Sequence, residues 1–195
     1  MENEVKEPAL QYNTYSLQEY WDIEASTENK NEFYNGQLVV MQGASLNHNK
    51  IVSNLMGYLF NAAKNKGCQV FAADLRLNIE IANAYVYPDV MIICREPELT
   101  EDKFDTIKNP SVIFEVISTS SEANDRRKFF YYMQMGGVKE IIMINSYDGI
   151  KVEAGIKQDN GSWQITTYSS LEDSITLSQI NEEIFLKDIY EGLPF

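Results

Sequence analysis

Two acids interrupt the two most strand-like apolar runs of the chain: Asp89 in "YVYPDVMIIC" (85–94) and Glu115 in "SVIFEVI" (111–117). A strand buried on both faces is near-continuously apolar, and an unpaired carboxylate is costly to desolvate. Side chains alternate along a strand, so Tyr87, Asp89 and Met91 share one face, as do Ile113, Glu115 and Ile117. If the two strands are neighbours in register, the carboxylates converge near the strand ends. Held together in low dielectric they repel, and one has its pKa raised unless a cation lies between them. Convergent Asp and Glu oxygens, with a backbone carbonyl such as that of Val116, suit a hard divalent ion, Mg²⁺ or Mn²⁺. A local Arg or Lys partner, or a strand end open to water, would also satisfy either acid alone.

Composition bounds the other possibilities. The chain has 195 residues, 44% hydrophobic and 23% charged, enough for one well-filled core and typical of a soluble globular protein. No apolar run reaches the roughly 18–20 residues of a membrane span, so no membrane association is expected. The acidic start "MENEVKEPAL" lacks a basic region followed by an apolar one, so a secretory signal is not expected and the setting reads as cytoplasmic. Cys68 and Cys94 show no paired motif spacing and read as buried, reduced thiols. One histidine and no cysteine cluster exclude a zinc site of the usual kind. The net charge of −13 counts against nucleic-acid binding, but its location matters. Residues 1–32 hold eight acids and two bases, residues 172–191 six and one, leaving 15 acids against 13 bases elsewhere. A near-neutral middle leaves room for a locally basic groove.

The elements that must position the acids follow from periodicity and caps. Ser16 caps a short amphipathic helix in "YSLQEYWDIEAS", and "EFYNGQLVVMQ" is extended chain turning at Asn35-Gly36. Ile51, Leu55, Leu59 and Ala62 predict a helix over about 46–66, ended by Gly67. "CQVFAADLRLNIEI" reads as one strand with Leu75, Leu77, Ile79 and Ile81 on one side. The Asp89 strand, a sixteen-residue connection (Arg95 to Pro110) and the Glu115 strand come next. "STSSEANDRRKFFYYMQM" reads as a helix with caps in its Ser/Thr/Asn opening, Phe129, Tyr132 and Met133 on one face, and Gly136-Gly137 after it. "VKEIIMIN" is a further buried strand, Asp148-Gly149 and Asn160-Gly161 mark hairpins, and "LSQINEEIFLKDIYEG" reads as a terminal helix capped near Asn181. The order gives an α/β fold, a mixed central sheet with flanking helices, one strand–helix–strand crossover and C-terminal antiparallel hairpins. Residues 1–195 read as one domain, with 1–14 a loosely packed arm.

Taken in order, "NEFYNGQLVVM", "ASLNH", "YPDVMII", "PSVIFEVISTSSEANDRRKFFYYM" and "VKEIIMI" resemble the Uma-type family of restriction endonucleases, within the PD-(D/E)xK nuclease superfamily. The resemblance runs from about Tyr15 to the terminal "LKDIY". It implies a restriction-endonuclease-like core that cleaves DNA phosphodiesters with Mg²⁺, usually as a homodimer. Asp89 matches the Asp of the Pro-Asp motif and Glu115 the acidic member of (D/E)xK; both would hold the metal. Glu32, in "NEFYNG", matches an early acidic position and would complete the carboxylate cluster. His48 would line the site. The (D/E)xK spacing puts Ile117 where the lysine belongs, and the resemblance implies that this lysine has moved to the following helix. Lys128 is the candidate, Arg127 the alternative; Asp125 and Tyr132 share the Lys128 face. Lys128 would orient the attacking water or stabilise the phosphoryl charge. Tyr131 and Tyr132 could stack on bases, though aromatics at helical spacing more often pack a core. Two other readings stay open: a catalytically inactive nucleic-acid-binding or transposon-associated module, and a homo-oligomeric structural protein that kept the fold.

Overall fold

The computed structural model describes residues 14–102 and 104–195, so the proposed arm at 1–14 lies outside the described residues except for Thr14. Helix α1 (Leu17–Ser26) starts where the sequence places it: the Ser16 side chain accepts from Glu19 N, and the Glu19 carboxylate accepts from Ser16 N at 2.7 Å. Strands β1 (Asn31–Tyr34) and β2 (Gln37–Val40) form a hairpin whose two turn residues, Asn35 and Gly36, both have positive φ (45° and 95°). A Cβ on Gly36 would lie 2.5 Å from a Thr14 methyl, so glycine is needed there for space as well as for backbone. Ser45 caps α2 (Leu46–Ala63), which buries Ile51, Leu55, Leu59 and Ala63 at four-residue spacing.

Two expected strands turn out to be four. "CQVFAADLRLNIEI" breaks into β3 (Gln69–Ala72) and β4 (Arg76–Ile79), which belong to different sheets. The exposed turn at Asp74 separates them, and Ile81 falls in a 3-10 turn, 67% exposed instead of on a buried face. "YVYPDVMIIC" likewise splits into β5 (Ala84–Val86) and β6 (Val90–Ile93). Pro88 has no N–H to give a ladder and holds its predecessor extended, so the chain crosses from one sheet to the other at Tyr87–Asp89. Asp89 therefore stands at a strand end, not inside a strand.

The connection to β8 (Val112–Ile117) carries a short strand, β7 (Thr106–Ile107). Helix α3 (Glu122–Gln134) follows, but its cap differs from the expectation. Ser121 makes no capping bond; Ser118 and Ser121 instead exchange bonds, each side chain accepting from the other's N–H at 3.2 and 3.0 Å. Strands β9 (Glu140–Asn145), β10 (Val152–Lys157) and β11 (Trp163–Tyr168) extend the sheet. The expected terminal helix is instead a hairpin, β12 (Ser174–Leu177) and β13 (Glu182–Phe185), with only Leu186–Ile189 helical (α4). Leu177, Ile180 and Ile184 stand three and four apart and so imitate a helical stripe, whereas Asn181, at φ 48°, closes a turn.

One sheet runs β2-β1-β5-β4-β7 and the other β11-β10-β9-β8-β6-β3, in which only β8 and β9 are parallel, joined through α3. Alternate residues of β8 serve two cores. Val112, Phe114 and Val116 pack with α2; Ile113 and Ile117 pack with Phe129 and Tyr132 of α3 and with Tyr34, Leu77 and Val86 of the five-stranded sheet. Each such side chain stabilises the fold by about 1.5–3 kcal/mol on burial. Glu115 has the parity of the α3 side.

The expectation of two reduced thiols is corrected: Cys68 and Cys94 form a disulfide. Antiparallel pairing of Gln69 with Ile93 brings the adjacent cysteines face to face, with Cα atoms 3.9 Å apart. Among the described residues no helix is long and apolar enough to cross a membrane.

Candidate active site

Glu115, 1% exposed, meets two groups from α3: Lys128 Nζ at 2.8 Å and the Tyr132 hydroxyl, which donates at 2.6 Å. Both bonds fall on Oε1. Lys128 is buried as well, and its ammonium also lies 3.0 Å from Asp125 and 3.4 Å from Glu32. Positions 125, 128 and 132 lie at i, i+3 and i+7 of one helix, which stacks these side chains on one face. Three carboxyls thus surround one ammonium. Burial pushes the Glu115 carboxyl well above its ordinary pKa. Burial alone would depress Lys128, but Glu115, Glu32 and Asp125 hold it well above the ordinary lysine value, so it stays charged.

Asp89 arrives from the other strand. The ladder that pairs Val90 with Phe114 sets Asp89 opposite Glu115 one step further on. One Asp89 oxygen accepts from Val116 N at 2.7 Å; the other lies 3.1 Å from His48 Nε2. Burial opposes protonation of His48, yet the bond and charge of Asp89 win, and its pKa is raised. His48 comes from the first turn of α2, and its Nδ1 is buried with no hydrogen-bond partner among the described residues. Asp89, Glu115, His48, Asp125 and Lys128 all line one cavity of about 430 Å³.

Glu32 and Tyr132 sit behind that lining. Glu32 is 2% exposed, and both its oxygens are taken: Tyr87 N (3.2 Å) and Lys128 on one, Tyr34 OH (2.7 Å) and Asn124 Nδ2 (2.6 Å) on the other. Arg127 turns away, its guanidinium 3.8 Å from the centre of the Tyr34 ring, so the inward cation of α3 is Lys128. Asn124 is a site residue that sequence reasoning missed; only its position one turn before Lys128 could have suggested it. A second is Arg76. Buried and stacked 4.5 Å over Phe104, it donates to the Tyr87 hydroxyl (2.7 Å) and pairs with Glu24 (2.8 Å). That network anchors the residue whose backbone N–H holds Glu32, two positions before Asp89. A lone Arg amid "LRLNIEI" carries no signal for it.

Among the described residues, no three His, Cys, Asp or Glu side chains cluster as a ready-made metal site. The donor chemistry nevertheless fits Mg²⁺, which takes one or two carboxylates and keeps several waters. Asp89 and Glu115 supply hard oxygens at a cavity with room for water.

Comparison with known proteins bears on the family and on the fold. Residues 12–187 match the Uma2 family, described as "Putative restriction endonuclease". An uncharacterised protein of Synechocystis sp., sll1609, is 34% identical over 149 residues, 76% of this chain and 84% of that one. A second, slr1290, is 29% identical over 189 residues, 96% and 97% of the two chains. The fold matches, at TM-score 0.75 and 15% identity, a crystal structure from Anabaena variabilis described as "a putative nuclease belonging to DUF820", over 90% of this chain and 97% of that one.

Proposed function

We propose that this chain, which belongs to the Uma2 family, is a Mg²⁺-dependent endonuclease hydrolysing DNA phosphodiester bonds. One observation carries the reading. A buried lysine touches the acid of one strand, and the acid of the neighbouring strand end opens on the same cavity. Asp89 and Glu115, with the Val116 carbonyl, would hold the ion, and Mn²⁺ could replace it. When bound, Mg²⁺ polarises the scissile phosphate and makes a nearby water more acidic. Lys128 orients that water or meets the charge that develops on the phosphoryl oxygens. Tyr132 fixes the Glu115 carboxyl, and His48 fixes Asp89. Glu32 does not line the cavity and contacts Lys128 from behind it, so it serves this scheme better by positioning Lys128 than as a ligand.

The test is incubation of plasmid and single-stranded DNA with the protein in Mg²⁺ or Mn²⁺, beside Asp89→Ala, Glu115→Ala and Lys128→Ala. Cleavage lost in all three variants supports the proposal. Equal cleavage by all four proteins points to a contaminant and sinks it. One feature favours the inactive-module reading: the acid cluster already holds a cation of its own in Lys128. That reading expects nucleic-acid binding that survives Asp89→Asn, and no cleavage. A homodimer is the remaining part of the proposal, and sedimentation equilibrium reads the assembly.

A further inference from the structure

The cavity is lined from two sources. Val39, Val40, Met41, Ala44 and Val52 come from β2, the loop after it and α2, and they make an apolar side. The β8–α3 junction contributes the polar side, with Ser118, Ser121 and Asn124 beside Glu115 and Lys128. The groups that would meet a phosphate are nearly inaccessible: Glu115 is 1%, Lys128 3% and Asp125 4% exposed. At about 430 Å³ the cavity lies in the range that holds a small molecule, and a nucleoside phosphate is of that class.

Electrostatics point the same way. Three side chains able to carry positive charge line the cavity, and each is already paired: Lys30 with Asp74, His48 with Asp89, and Lys128 with Glu115. A duplex presents one negative charge per about 1.7 Å of axis, on the outside of a stiff rod, and is held by several cations at once. Nothing in the cavity lining supplies such a row, and the chain as a whole carries −13. An unstacked nucleotide avoids both problems, because its base can leave water for the apolar side while its single phosphate descends to the acids and Lys128.

We infer that the cavity admits one unstacked nucleotide of a single strand, base against the Val39–Met41 and Val52 side and phosphate toward Lys128, and excludes base-paired DNA. This inference rests on the nuclease proposal and narrows its substrate.

The experiment is fluorescence anisotropy of the full chain in Ca²⁺ with a labelled oligonucleotide of about 12 residues, a length within the footprint of single-strand binders. It is run single-stranded and as a blunt duplex of the same sequence. Single-strand binding at least about tenfold tighter than duplex binding is expected, the gain from taking roughly 55 Å² of apolar surface out of water. Its salt dependence should be shallow, a log–log slope near −1, as for one or two phosphates neutralised. Val40→Asp puts a charge on the apolar side at a position 56% exposed, where the fold tolerates it, and should lower single-strand affinity by about tenfold. Duplex binding equal to or tighter than single-strand binding overturns the inference, as does no binding of either or an unaffected Val40→Asp. A cleavage assay in Mg²⁺ judges the underlying reading separately. Single-strand preference without cleavage keeps the cavity assignment and removes the nuclease, whereas cleavage of blunt duplex without single-strand preference does the reverse.

Discussion

Lys128 and Glu115 are 2.8 Å apart at Nζ and Oε1, a helix cation seated on a strand carboxyl with both side chains almost wholly out of water. In the (D/E)xK pattern the lysine would follow two residues after the acid on the same strand; here Ile117 stands there and packs in the core. The chain crosses to the helix before supplying the ammonium.

Removing that ammonium should cost stability as well as activity. Lys128→Met leaves Glu115, Asp125 and Glu32 facing one another without their shared partner. A loss of about 3–5 kcal/mol is expected, as for other buried pairs broken on one side. Urea denaturation measures it. A loss below about 1 kcal/mol would mean that the cluster is solvated and the geometry misread.

Tyr132→Phe removes one hydroxyl from the same cluster while keeping the ring in the core. Stability should fall by about 1–2 kcal/mol, the usual result of losing a hydrogen bond to a buried acid. Cleavage should fall less than in Lys128→Ala, since Lys128 still holds Glu115. Activity unchanged from wild type would show that the Tyr132 bond does not orient Glu115.

Tyr190, which does not line the cavity, gives a pH dependence of its own. Its hydroxyl donates to the Asn145 carbonyl at 2.8 Å and lies 2.9 Å from that of Lys151, and burial pushes its pKa from 10 up to about 12. The folded value exceeds the unfolded one, so its contribution is complete below pH 10 and is lost as pH rises through about 12. The urea midpoint of the wild type should therefore fall more steeply over that window than that of Tyr190→Phe. Parallel curves would remove Tyr190 as the cause.

The Cys68–Cys94 bond joins residues 26 apart in sequence and closes a loop that contains β3, β4, β5 and β6. Reduction should lower stability by about 2–4 kcal/mol. A thiol titration of the untreated protein should find no free cysteine until it is reduced. Two free thiols before reduction would restore the reading made from the sequence.

Much of the positioning framework was legible from local chemistry. Ser16 with Glu19, Asn35-Gly36, the α2 stripe and the β8–α3–β9 crossover all follow from caps, turns and periods, which act between near neighbours. The misses arose where a pattern continued across a break. Alternation runs unbroken through Asp74 and through Tyr87–Asp89, although the chain changes sheets at both places, and Leu177, Ile180 and Ile184 mimic a helix across a hairpin turn. Within the site, the acids announced themselves because they interrupt apolar runs. Asn124 and Arg76 did not, because a polar residue on a helix or strand face gives no sign of its partner. The cysteine pairing needed the β3–β6 register, which composition does not encode.

The central claim is that Asp89 and Glu115 together hold a divalent ion, and thermal denaturation in a Mg²⁺ series tests it most directly. An ion bound only by the folded chain adds about 2.7 kcal/mol at a hundred times its Kd. Wild-type Tm should therefore climb with Mg²⁺, and the climb should vanish in Asp89→Asn while surviving in Tyr190→Phe, whose residue does not line the cavity. An equal climb in Asp89→Asn, or a flat wild-type curve up to millimolar Mg²⁺, would contradict it.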